Sequence, residues 1–69
     1  MTREDFRIKV AEVLEVPSVT DETRFRELPD WCSLQAFGLL VMMETACGVR
    51  LDAAKLAEIE TVGELYAAC

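Results

Sequence analysis

The sequence predicts an all-α fold, a four-helix bundle with a short third helix and a long first loop. Apolar residues recur at helical spacing in several segments, and candidate capping residues precede these segments. No segment shows the apolar–polar alternation of a strand. A chain of 69 residues has room for one domain, which we assign to residues 1–69, and its 52% hydrophobic content argues against disorder.

The first helix is expected from about Thr2 to Leu14, because apolar residues recur there at helical spacing. Thr2 followed by Asp5 resembles a helix-start signal. From Pro17 to Cys32 the polar, proline-containing sequence predicts a loop. A loop of this length is uncommon in a compact domain unless it has a function. Its expected anchors to the core are Val19, Phe25 and Leu28.

The second helix is expected to begin at Ser33, whose hydroxyl can cap the first turn, and to end at Cys47. Gly48 then provides a left-handed stop. This helix is apolar on two opposite faces, and a small domain cannot bury both, so we expect one to be exposed for a partner. The expected inner face consists of Ala36, Leu39, Leu40, Met43, Ala46 and Cys47. The expected outer face consists of Leu34, Phe37 and Val41, and Gly38 is also expected on the outer side.

Two further helices are expected in the last third of the chain. Asp52 can cap a short third helix through Leu56, and Ile59 follows as a core residue. Thr61 and Glu64 then have the spacing of a capping box that opens the last helix.

Composition limits the function classes. The net charge of −6 argues against nucleic-acid binding, which needs cations facing the phosphates. Histidine is absent, so the commonest general base and zinc ligand are missing, and we expect neither a metal site nor an enzyme. The charged start and the lack of a long apolar run predict no leader and no membrane association. The three cysteines, Cys32, Cys47 and Cys69, are odd in number and lack CxxC spacing, so free thiols and a cytoplasmic location are expected. We also expect a monomer.

Around Ser33 the sequence resembles the acyl carrier proteins. Their mark is a serine at the start of the second helix of a four-helix bundle, usually within Asp-Ser-Leu, and this chain has Trp31-Cys32-Ser33-Leu34. The segment from Phe25 to the C-terminus follows the carrier pattern without a gap. Phe25 matches the loop aromatic, Leu51 precedes helix three, and Ile59-Glu60-Thr61-Val62 leads into the last helix.

This resemblance implies a 4′-phosphopantetheine arm joined to Ser33, which carries acyl or aminoacyl groups as thioesters in lipid or polyketide biosynthesis. It implies a phosphopantetheinyl transferase and acyl-loading and acyl-accepting enzymes as partners. Where the family displays acids on helix two, this chain has Gln35, Gly38, Thr45 and Ala46, so recognition should be mainly apolar. The expected partner-binding residues are Leu34, Phe37, Val41 and Glu44. The expected lining of an acyl cavity is Leu39, Leu40, Met43, Leu56, Ile59 and Leu65.

Two alternatives stay open. Ser33 can be a plain helix cap, in which case the chain is an unmodified helical adaptor that binds a partner through helix two. Cys32 stands where the family usually has aspartate, and a thiol at a helix start can be reactive. An enzyme using Cys32 is the weaker alternative, because the chain has no histidine to act as its base.

Overall fold

The computed structural model describes residues 1–69 and confirms the predicted fold class. The four α-helices are α1 (Arg3–Leu14), α2 (Ser33–Cys47), α3 (Ala53–Ala57) and α4 (Val62–Ala67). The long first loop is not structureless, because Phe25–Glu27 forms a turn of 3₁₀ helix. Strand-like pairing is limited to one isolated bridge between Arg24 and Thr61.

Side-chain caps begin α1 and α3 at the positions that the sequence predicts. The Thr2 hydroxyl accepts a hydrogen bond from the Asp5 N–H at 3.1 Å. The Asp52 carboxylate accepts one from the Lys55 N–H at 2.8 Å. Each bond satisfies a backbone donor that a helix start leaves without a partner.

Helix α4 begins with the predicted capping box. The Thr61 hydroxyl accepts from the Glu64 N–H, and the Glu64 carboxylate accepts from the Thr61 N–H at 3.0 Å. The same carboxylate accepts from the Glu60 N–H at 2.8 Å. These backbone donors, first Glu60 and then Thr61, hold the pKa of Glu64 below its usual 4.5, because they stabilise the charged form.

One apolar core joins the helices and the loop. Its side chains come from α1, α2, α3, α4 and the first loop, so all of these elements contribute to a single core. The ring of Phe6 meets the edge of Tyr66 at 5.2 Å between centroids, which joins α1 to α4. The buried core residues are Phe6, Val10, Ala11, Leu14, Val19, Phe25, Leu39, Met42, Met43, Leu56, Val62 and Leu65.

The first half of the loop is anchored at Asp21. Its carboxylate accepts hydrogen bonds from Arg3 at 2.9 Å and from Arg7 at 3.1 Å, both on α1. Its carbonyl accepts from the Gly63 N–H of α4 at 2.9 Å. A side chain at Gly63 would press on this carbonyl, with a Cβ only 3.1 Å from the oxygen. The loop is therefore held between the first and last helices.

The second half of the loop is anchored by Phe25 and Arg26. Phe25 is fully buried and packs against the ring of Trp31, with centroids 5.4 Å apart. The Arg26 guanidinium donates to the carbonyls of Leu56 at 2.8 Å and Ala57 at 3.2 Å. These carbonyls lie at the end of α3, where the helix supplies no i+4 partners, and the Leu56 carbonyl also accepts from the Ile59 N–H at 3.0 Å. The contacts fix the loop immediately before α2.

The prediction of three free thiols is wrong for two of the cysteines. Cys47, at the end of α2, forms a disulfide with Cys69, and their Cα atoms are 5.4 Å apart. This separation is normal for a disulfide. Cys32 is free and exposed. The cysteine content therefore gives no support to the expected cytoplasmic location, because disulfides are rare in reducing compartments.

Gly38 does not lie on the outer side of α2, as the sequence analysis expected. A Cβ at this position would lie 2.9 Å from Cγ1 of Val13 on α1. The missing side chain therefore allows α1 and α2 to pack closely. Gly38 also lies in the lining of a groove between the two helices.

Candidate functional site

Ser33 lies at the junction between the anchored loop and α2. Cys32 occupies the N-cap position with extended backbone angles (φ −153°, ψ 174°), and Ser33 is the first helical residue. The prediction that the Ser33 hydroxyl caps the helix is therefore wrong, because the cap position falls one residue earlier. Ser33 is exposed, and its side chain is not engaged in the cap. An enzyme can reach this hydroxyl from solvent.

The start of α2 differs from the other helix starts. No side chain caps it, and its first turn has no acidic residue. In contrast, α1, α3 and α4 all have a capping side chain. The backbone donors and the positive end of the α2 dipole are therefore not compensated by any side chain. Because both favour an anion, the site fits a phosphate attached to Ser33.

The face of α2 that carries Leu34, Phe37 and Val41 is exposed, as expected. These side chains are 76%, 63% and 43% exposed, respectively. Glu44, the fourth residue predicted for partner binding, is also exposed and pairs with Arg50 at 3.1 Å. Exposure of three large apolar side chains on one helix face is typical of a binding surface.

A shallow groove runs along the seam between the end of α1 and this face of α2. It has a volume of about 420 Å³. We call it the seam groove, and the residues that line it are Val13, Glu15, Leu34, Gln35, Phe37, Gly38 and Val41.

Gln35 does not face a partner, although the sequence analysis grouped it with the docking positions. It is 7% exposed, and its Nε2 donates to the carbonyl of Leu14 at 3.1 Å. Its Oε1 is buried and has no hydrogen-bond partner. The contact joins the last turn of α1 to the first turn of α2. Thr45 remains exposed, and Ala46 is half-buried.

The six residues predicted to line an acyl cavity are part of the core or pack against it. Leu39, Met43 and Leu65 are fully buried, and Leu56 is 4% exposed. Leu40 and Ile59 are half-buried. The open grooves of the molecule are lined by other residues. An acyl cavity among these six side chains stays a prediction, and it requires them to move apart.

Sequence reasoning did not single out Glu15, which directly follows α1. It has left-handed backbone angles (φ 58°, ψ 42°), and it is exposed at the edge of the seam groove. A helix commonly ends in this conformation, but with glycine or asparagine. No residue type at this position signals the conformation, because the usual glycine or asparagine is missing.

Comparison with known families decides the class of the protein. Residues 4–69 match the family model described as "Phosphopantetheine attachment site". The chain belongs to this family. It is a carrier domain of the acyl carrier protein type, and the family carries a covalently attached 4′-phosphopantetheine group. Neither a curated protein nor a solved structure gave a match.

Family membership also defines the general kind of partner. Carrier domains interact with a phosphopantetheinyl transferase and with acyl-handling enzymes, and they are typically not catalytic themselves. None of the helices has both the length and the hydrophobicity that a membrane span needs. The side chains form no cluster of three or more potential metal ligands.

Proposed function

We propose that Ser33 is the attachment site of the 4′-phosphopantetheine group, and that the chain carries acyl or aminoacyl groups as thioesters. The observation that carries this proposal is the exposed Ser33 hydroxyl at the start of α2, the one α-helix that no side chain caps. The chain has only one other serine, Ser18, which is exposed in the first loop outside any helix. Ser33 alone combines a hydroxyl with the start of a long helix.

Ser33 and the first turn of α2 have separate roles in the proposed attachment. The Ser33 Oγ would give its proton to a base of the transferase and bond to the phosphorus that bears pantetheine. The P–O–P bond of coenzyme A would break, and adenosine 3′,5′-bisphosphate would leave. The N–H groups in the first turn of α2 then favour the negative charge of the phosphodiester. When attached, the group supplies a terminal thiol that holds an acyl group. Cys32, next to Ser33, stands where the family usually has aspartate.

The partners in this proposal are the transferase and enzymes that load and accept acyl groups. Leu34, Phe37 and Val41 form an apolar surface beside Ser33, and Glu44 adds a carboxylate at its far end. The net charge of −6 argues against nucleic acid as a partner and against association of identical copies. We therefore propose a monomeric carrier without catalytic activity of its own, in a pathway that makes lipids or polyketides.

In vitro modification tests the attachment site. The protein is incubated with coenzyme A and a broad-specificity phosphopantetheinyl transferase, and the intact mass is measured. The wild type and Ser18→Ala should each gain one phosphopantetheinyl group, whereas Ser33→Ala should gain none. An unmodified wild type would favour the adaptor alternative, and a modified Ser33→Ala would place the group elsewhere.

A further inference from the structure

Glu15 occupies a backbone conformation that glutamate rarely adopts. It is the only residue other than glycine with a positive φ. Side chains with a Cβ are disfavoured there, and asparagine, aspartate and glycine are tolerated better. Glu15 is exposed and forms none of the five ion pairs of the molecule. Neither backbone preference nor a stabilising ion pair accounts for glutamate at this position, and such disfavoured residues are concentrated at functional sites.

The fold places Glu15 beside the first turn of α2. The buried hydrogen bond from Gln35 to the carbonyl of Leu14 holds the end of α1 against the residues that follow Ser33. Glu15 and Leu34 therefore line the same seam groove, and Glu15 is the only charged side chain in its lining. The groove has a mostly apolar lining and one carboxylate, that of Glu15, at its edge.

We propose that the seam groove is a docking site for the phosphopantetheinyl transferase, which seats an apolar side chain there with a Lys or Arg facing Glu15. This inference rests on the proposed attachment at Ser33. An enzyme whose active site reaches the Ser33 Oγ must cover the adjacent Leu34, which lines the groove. A cationic donor complements the groove, because its lining contains a carboxylate and no Lys or Arg.

Charge also argues against a second copy of the chain as the occupant. In a symmetric dimer the same surface of both copies meets. Two seam grooves would then bring two Glu15 carboxylates together, in addition to the net charge of −6 on each copy. The occupant is therefore expected to be a cationic surface of another protein.

A pair of isosteric variants tests the role of the charge. Asp and Asn both tolerate the left-handed conformation, so Glu15→Asp and Glu15→Asn differ from each other mainly in charge. Glu22→Asn removes a carboxylate from an exposed position in the first loop and serves as the control for net charge. The kcat and KM for modification are measured with coenzyme A and a broad-specificity transferase, and thermal melts are recorded for each variant.

The expected result is a KM for Glu15→Asn that is about two- to fivefold higher than for Glu15→Asp, since an exposed charge pair contributes this much. The kcat should not change, Glu15→Asn should melt no lower than wild type, and Glu22→Asn should match wild type. The difference in KM between Glu15→Asn and Glu15→Asp should disappear in about 1 M salt, where the Debye length is near 3 Å.

Each other outcome has a definite meaning. Equal KM values for the Asp and Asn variants, with normal modification of wild type, would overturn the groove proposal and leave Ser33 as the site. An equal rise in KM for Glu22→Asn would also overturn the groove proposal, because the change in net charge alone would explain the effect. A wild type that is not modified would overturn the proposed function and this inference together. A concentration-dependent dimer that Phe37→Ser dissociates would identify a second copy as the occupant.

Discussion

At Gly38 the absence of a side chain sets the distance between α1 and α2. Alanine has a higher helix propensity than glycine by about 1 kcal/mol, so propensity alone would favour Gly38→Ala. The new Cβ would lie 2.9 Å from Cγ1 of Val13, a β-branched side chain with few alternative rotamers. Overpacking of this kind costs about 1–3 kcal/mol. We expect Gly38→Ala to lower the free energy of unfolding, as measured by urea denaturation.

Removing the two methyl groups of Val13 should reverse the sign of this effect. In a Val13→Ala background the clash is absent, so adding Gly38→Ala should raise stability by up to about 1 kcal/mol. The two single variants and the double variant form a cycle that isolates the contact. A stabilising Gly38→Ala in the otherwise unchanged protein would show that Val13 moves aside at little cost.

At the scale of the elements, the capping box of α4 makes a pH-dependent contribution. The backbone N–H bonds from Glu60 and Thr61 lower the pKa of Glu64 below 4.5 in the folded protein. The carboxylate therefore stabilises the fold above pH 4.5, and this contribution is lost as the pH falls below 4.5 through the lowered pKa. Glu64→Gln keeps an acceptor oxygen but cannot titrate. The stability advantage of wild type over Glu64→Gln should shrink on acidification.

Thermal melts from neutral to acidic pH measure this difference. Glu58→Gln, at an exposed residue directly after α3, is the control for removal of one negative charge. An advantage of wild type over Glu64→Gln that is constant across the acidic range would contradict the assigned role of the carboxylate.

The disulfide joins the end of α2 to the end of the chain. Cys47 and Cys69 are separated by 22 residues, and closing a loop of this size stabilises a fold by about 3 kcal/mol in the chain-entropy model. Reduction should therefore lower the melting temperature clearly in so small a domain. In the native, unreduced protein one thiol, Cys32, should react with a thiol reagent, and three should react after reduction and unfolding. Three reactive thiols before reduction would contradict the pairing.

The elements themselves were predictable, because their signals are local. The apolar periodicity and the caps at Thr2, Asp52 and Thr61 all lie within a few residues of the helix starts that they define. The exposed face of α2 was also predictable, since one short chain cannot cover both sides of an apolar helix.

The errors concern contacts between distant segments. Gln35 and Gly38 face α1, and only the packing of the two helices determines this. The disulfide depends on where the chain end returns to α2, which no cysteine spacing indicates. The left-handed Glu15 was missed because glutamate carries no turn signal, unlike glycine or asparagine.

At the scale of the whole molecule, the core and the anchored loop position the start of α2, which no side chain caps. The loop before α2 is held by Asp21, Phe25 and Arg26, so Ser33 has a fixed position although it is exposed. The core lies behind α2, and an apolar surface and the seam groove lie beside Ser33. A modifying enzyme can therefore contact this surface next to the exposed Ser33 hydroxyl.

The most direct test of the account is mass spectrometry of the protein isolated from the organism that produces it. After proteolysis, the peptide that contains Ser33 should carry a phosphopantetheinyl group on this residue, and the peptide that contains Ser18 should be unmodified. A Ser33 peptide found only in its unmodified form would contradict the carrier function.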